Sequence, residues 1–189
     1  MTKAEARRQA AKRISEIGAA ERFIQDESIF CRLMGMRELI EAKTVFCYVS
    51  TGEEIDTRRL IEFLLGRGKS VCVPRCGDAG HMDACRIQSL DELSPKGKFM
   101  LDEPEDSCDM VEPENIDLVI LPGVAFGENL SRLGRGGGYY DRFLANCKAF
   151  CVGLCREALI FDSLPERPHD VRVDAVVTEC RTLRQQERN

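Results

Sequence analysis

Residues 132–144 read Arg-Leu-Gly-Arg-Gly-Gly-Gly-Tyr-Tyr-Asp-Arg-Phe-Leu, placing four glycines within five positions beside arginines, tyrosines and an aspartate. Glycine has no Cβ, so its amide can approach an oxyanion closely and its backbone can take positive φ. Gly134, Gly136, Gly137 and Gly138 therefore suit a backbone cradle for phosphate, to which the start of a following helix adds unpaired N–H groups. Arg132 and Arg135 offer forked donors to phosphate oxygens. Asp141 has the opposite preference, because a carboxylate beside phosphates is repelled unless a divalent cation lies between them. That suggests Mg²⁺, which typically takes one or two carboxylates and completes its shell with substrate phosphates. Glycine content alone fits a tight strand-to-helix turn equally well; the arginines, tyrosines and aspartate favour the phosphate reading. Neither G-x-x-x-x-G-K-[ST] nor G-x-G-x-x-G is satisfied here.

Other chemistries have less to build on. The chain holds two histidines, His81 and His169, and contains neither G-x-S-x-G nor H-E-x-x-H. Cys72, Cys76, His81 and Cys85 resemble a zinc knuckle with the wrong spacings, and nothing in a hairpin makes the last two converge on the first two. The ten cysteines are scattered through apolar segments, which predicts buried thiols in a reducing compartment.

The elements that must position the glycine turn follow from periodicity. The opening predicts a helix to about Ile17, stopped by Gly18, and a second helical pattern runs over 19–42. A β-rich run at 43–49 leads through the polar loop Ser-Thr-Gly-Glu-Glu-Ile-Asp to a helix ending at glycine near 68. Residues 69–75 and 81–87 read as strands of a hairpin joined by a turn at 76–80. The Pro-, Asp- and Glu-rich stretch 89–114 reads as a solvated surface connection. Residues 116–122 give a buried strand, a helix begins around Tyr139, and further strands are expected at 149–155 and 174–178, separated by a short helix and a Pro-bounded loop. A polar tail closes the chain from about 181 to 189. Strands alternating with helices predict an α/β fold, a three-layer α/β/α domain with a mostly parallel sheet. In such a sheet ligands collect at the carboxyl ends of the strands, where the glycine turn falls.

At 189 residues, with 43% hydrophobic and 31% charged residues, one compact domain over 1–189 is expected. A net charge of −5 argues against a general nucleic-acid binder. No apolar run has the length of a membrane span and the N-terminus lacks a secretory signal, so a cytoplasmic protein is expected.

The stretch Leu-Pro-Gly-Val-Ala-Phe-Gly-Glu-Asn-Leu-Ser-Arg-Leu-Gly-Arg-Gly-Gly-Gly-Tyr-Tyr-Asp-Arg-Phe-Leu resembles the signature of the 5-formyltetrahydrofolate cyclo-ligase (methenyltetrahydrofolate synthetase) family. Lys3 and Arg7 resemble its Lys-x-x-x-Arg pair, the loop at 50–57 its acidic loop, 73–76 and 81–87 its central hairpin, and 169–179 its C-terminal element. The resemblance implies an architecture shared with sugar-phosphate isomerases and CoA transferases. It implies an enzyme that joins ATP and 5-formyltetrahydrofolate to give 5,10-methenyltetrahydrofolate, ADP and phosphate, with Mg²⁺ as cofactor. By the same resemblance Lys3, Arg7, Arg132, Gly134, Arg135, Gly136, Gly137, Gly138, Tyr139 and Tyr140 bind ATP. Val49, Glu54 and Tyr139 contact the folate, with Glu53 able to share the pterin-binding role. Asp141 and Asp174 flank the metal, with Asp170 close enough in sequence to compete for the second place. Either tyrosine could stack on or cap the substrate. A monomer acting on small molecules, without nucleic acid or membrane, is expected. A folate or nucleotide binder without turnover, or a sugar-phosphate isomerase of the same fold, are the other readings; indifference to ATP would mark the isomerase.

Overall fold

A computed structural model describes residues 1–77, 80–96 and 100–185. Thr2 starts α1 (Lys3–Ser15): its hydroxyl accepts from the Glu5 amide while the Glu5 carboxylate accepts from the Thr2 amide. This reciprocal cap satisfies two N–H groups that the helix itself leaves unpaired. Ala6, Ala10 and Ile14, each four apart, form its buried stripe. The single helix expected over 19–42 is two. α2 (Ala19–Met34) ends at Gly35, and α3 (Arg37–Glu41) starts after Met36, which the core buries. Glycine costs a helix interior about 1 kcal/mol relative to alanine, so the break falls there.

β1 (Thr44–Cys47), α4 (Arg58–Gly66), β2 (Ser70–Cys76) and β3 (Met82–Ile87) follow the expected order. Residues 78–79 of the expected turn at 76–80 lie outside the described residues. The stretch 89–114 is more than a surface connection. It holds a hairpin of β4 (Ser94–Lys96) and β5 (Leu101–Glu103), and then β6 (Asp109–Met110), which pairs with β3. Glu103 is buried and its carboxylate accepts from the Cys76 amide at 3.2 Å, so an acidic run that reads as solvated is partly structural; residues 97–99 are outside the description.

β7 (Leu118–Leu121) is buried at all four positions. After it come β8 (Ala125–Gly127), β9 (Arg132–Leu133), α5 (Tyr139–Leu144), β10 (Phe150–Leu154), β11 (Ile160–Phe161), β12 (Ala175–Val177) and β13 (Thr182–Arg184). The strand order is β13-β12-β10-β7-β1-β2-β3-β6, with a smaller β11-β8-β9 sheet beside it. Pairings from β12 through β10, β7 and β1 to β2 are parallel, and those at the two ends are antiparallel. The expected polar tail therefore begins with an edge strand, β13, whose Arg184 pairs with Glu38 of α3 at 2.6 Å; residues 186–189 are not among those described.

Alternation along the strands divides the core in two. Phe46, Cys72, Val119, Leu121 and Val176 face α1 and α5, whereas Val45, Cys47, Val71, Ile120 and Val177 face α2, α3 and α4. The result is the three-layer α/β/α arrangement with a mostly parallel sheet. No helix among the described residues is long and apolar enough to cross a membrane.

The cysteines depart from expectation. Cys85 is bonded to Cys108, Cys31 and Cys180 are exposed, and Cys47, Cys72, Cys151 and Cys155 are buried free thiols. Among the described residues no three His, Cys, Asp or Glu groups come together as a metal site, so the zinc-like spacing is coincidental. His81 instead sits at the surface with Nε2 2.8 Å from Asp83 Oδ1.

Candidate active site

The chain leaves β9 into residues 134–138, and Gly136 (φ 107°) and Gly138 (φ 70°) both take the left-handed conformation that side chains disfavour. Two carbonyls of this turn are claimed by arginines. Arg7 Nε on α1 donates to Gly134 O at 2.9 Å, and Arg142 Nη2 donates to Gly137 O at 2.5 Å while its Nε donates to Gly80 O at 2.9 Å. Among the described residues, no acceptor takes the amides of residues 134–138. Carbonyls drawn to cations on one side and free amides on the other make a concavity that favours anions. α5 has only six residues, so few peptide dipoles align behind its N-terminus. Positive charge at the turn comes mainly from Arg7, Arg135 and Arg142.

The two arginines of the turn have different tasks. Arg132 is 4% exposed at its side chain and its Nη2 donates to Asp141 Oδ1 at 3.0 Å, below the turn and 5.3 Å from the Tyr140 ring centre. Its Nε has no partner among the described residues. Arg135 is 69% exposed and crosses to the loop after β1, where Nη2 donates to Glu54 Oε1 at 2.9 Å. Tyr139 packs on Gly137, whose added Cβ would come within 2.8 Å of the ring. Tyr140 is wedged edge-on against Phe46, and burial pushes its hydroxyl well above the usual phenol range.

Lys3 forms an ion pair with Asp170, not with the turn. Burial pushes the Asp170 carboxyl up, but hydrogen bonds from Lys3 and the Arg167 amide outweigh it and hold the group below the usual carboxylate range. The next amide, Val171, donates to Asp141 Oδ1 at 3.4 Å, so Asp170 adjoins a residue that contacts Asp141. Asp174 is occupied elsewhere: its Oδ2 accepts from the Cys151 amide at 2.7 Å at the start of β10, on a separate groove with Lys148 and Arg172. The structure thus brings Asp170, and not Asp174, to the Lys3 side of the turn.

At the carboxyl ends of β1, β7 and β10 lies a small cavity of about 20 Å³ lined by Tyr48, Glu53, Glu54, Pro122, Leu154 and Arg156. That is room for about one water molecule, so a larger ligand enters only by displacing part of its wall. Its acidic rim is rigid: Glu54 Oε2 accepts from the Thr51 amide at 3.0 Å and hydroxyl at 3.2 Å, and Tyr48 Oη donates to Ile55 O at 2.8 Å. Glu53 pairs with Arg22 of α2 at 3.0 Å. Val49 is 8% exposed and packs in the core beneath this loop, leaving Tyr48 as the wall residue. Arg142 and Arg156 escaped the sequence, whereas the sequence leaves Asp170 open beside Asp174. Arg142 had a local signal, since it lies one helical turn past Gly138; Arg156 had none.

The 5-formyltetrahydrofolate cyclo-ligase family model matches residues 1–179. The chain is 34% identical over 153 residues to the 5-formyltetrahydrofolate cyclo-ligase of Escherichia coli K12, covering 78% of this chain and 84% of that one. It is 28% identical over 185 residues to the mouse protein of the same name, at 92% and 91% coverage. The solution structure of Aquifex aeolicus 5,10-methenyltetrahydrofolate synthetase superposes with a TM-score of 0.87 at 32% identity, covering 100% of this chain and 96% of that one. With the turn, the acidic loop and the Lys3–Asp170 pair in one place on this fold, the match across nearly the whole length means that this chain belongs to the 5-formyltetrahydrofolate cyclo-ligase family.

Proposed function

We propose that the chain converts 5-formyltetrahydrofolate to 5,10-methenyltetrahydrofolate, consuming ATP and releasing ADP and phosphate. The observation that carries this reading is the run of amides at 134–138 that have no acceptor among the described residues, ringed by Arg7, Arg135 and Arg142 and adjoining a carboxylate-rimmed cavity. A formyl group on N5 is an amide, so resonance leaves its carbon a poor electrophile for the neighbouring N10. Transfer of the γ-phosphoryl group to the formyl oxygen turns that oxygen into a leaving group. N10 then forms the new C–N bond and gives up its proton to water, and phosphate departs with the oxygen. Such transfers depend chiefly on positioning and charge stabilisation.

The glycine amides hold the triphosphate, and Arg7 is placed to neutralise it from α1. Arg135 must release Glu54 before it can turn to phosphate; Glu54 is then free to accept paired N–H groups of a pterin ring. Lys3 keeps Asp170 ionised near Asp141. Arg132, being buried, positions Asp141 from below.

Magnesium fits this donor set. Among the described residues both hydrogen bonds to the Asp141 side chain use Oδ1, so Oδ2 keeps its lone pairs, and a site with so few carboxylates of its own suits an ion completed by phosphate and water. When bound, the ion offsets phosphate charge; Asp141, with Asp170 beside it, would hold it. The test is spectrophotometric: with 5-formyltetrahydrofolate, ATP and Mg²⁺, methenyl absorbance and ADP should appear in step. ADP released without cyclised product would overturn the reading.

A further inference from the structure

Arg156 follows β10 at the wall of the cavity and is 2% exposed. Its Nη1 is fully engaged with α2, donating to Asp26 Oδ1 at 2.8 Å, Gln25 Oε1 at 3.1 Å and Arg22 O at 3.3 Å. Its Nε is buried and has no partner among the described residues. A buried N–H on a charged group left unpaired is costly, and a bound ligand or an ordered water can supply the missing acceptor. The cavity it lines has acceptor-only carboxylates, Glu53 and Glu54, at its rim. A 2-amino-4-oxo pyrimidine edge presents N–H donors next to a carbonyl acceptor, which is the complement of a carboxylate beside a guanidinium.

We propose that Arg156 is a specificity-determining residue that donates to the 4-oxo oxygen of the pterin while Glu54 takes its N–H groups. This deepens the function proposed above and rests on it. A 4-amino ring would bring a donor to a donor, so the site should reject 4-amino folates. Rejection by leaving a buried polar group unpaired is stronger than rejection by shape.

The experiment compares 5-formyltetrahydrofolate with its 4-amino-4-deoxy counterpart as competitor. The unaltered protein should turn over the first and bind the second at least tenfold more weakly, and indifference to this exchange would overturn the inference alone. Removing only Arg156 would strand the buried charge of Asp26, whose carboxyl burial already pushes up, so the variant is Asp26→Asn/Arg156→Met. It should raise KM for the folate about 10- to 100-fold, the range expected for a charged hydrogen bond, while changing KM for ATP less than about threefold. It should also lose the preference for the 4-oxo compound. A folded double variant that keeps its folate KM and its preference would equally overturn the inference. Absence of turnover by the unaltered protein would overturn the activity itself, and the role of Arg156 with it.

Discussion

Asp141 serves Arg132 and the Val171 amide on one side and the proposed metal ion on the other. Asp141→Asn keeps an oxygen for Arg132 but removes the countercharge from a guanidinium only 4% exposed. Turnover should fall by at least about 100-fold, as expected when charge stabilisation is removed from a transferring group. Stability should drop by about 1–3 kcal/mol, read as a fall of roughly 2–10 °C in Tm. Near-normal turnover at saturating Mg²⁺ would remove Asp141 from the metal site. Glu54→Gln separates the two substrates: it should raise the folate KM roughly tenfold or more, a charge-assisted pair being lost, and leave that for ATP almost unchanged. Gln keeps an oxygen for Arg135, so a large change in the ATP KM would contradict the separation of the two roles.

Among elements, the C-terminal edge strand β13 depends on charge as well as on its ladder. Hydrogen bonds from Arg184 hold the Glu38 carboxyl down to about 2, which ties β13 to α3. Its folded-state pKa is below the unfolded value of 4.5, so this contribution is complete above about 4.5 and is lost as pH falls toward 2. Glu38→Gln should therefore be less stable than the parent at pH 7, and the gap should close across that acid window in parallel urea titrations. A gap that stays constant down to pH 2 would mean the pair is screened out by solvent. Both partners are partly exposed, so the effect at pH 7 should be small. The helical pattern over 19–42 and the polar tail show why such elements are hard to read: Gly35 can be absorbed or can break a helix, and a three-residue strand has too few positions to display alternation.

At the scale of the molecule, burial sorts the cysteines. Eight are free, and of these Cys31 and Cys180 are exposed. Burial pushes the Cys72 thiol up to about 11 and Cys151 to about 12. A thiol reagent at pH 8 should label Cys31 and Cys180 in the native protein, and the four buried thiols only as the chain unfolds; mass spectrometry of timed samples checks this. Rapid native labelling of Cys151 would contradict the packing of β10. The amino-acid sequence alone determined the glycine turn, the alternating strands and helices and the family, because each is written in residue type and local spacing. Tertiary structure alone decided which aspartate stands beside Asp141, which arginine is buried, and that Arg156 lines the cavity. Lys3 meets Asp170 across 167 positions and Arg7 meets Gly134 across 127. Periodicity says which face of an element is buried but not what the opposing layer brings to it, and those partners were set only when α1 packed on the sheet.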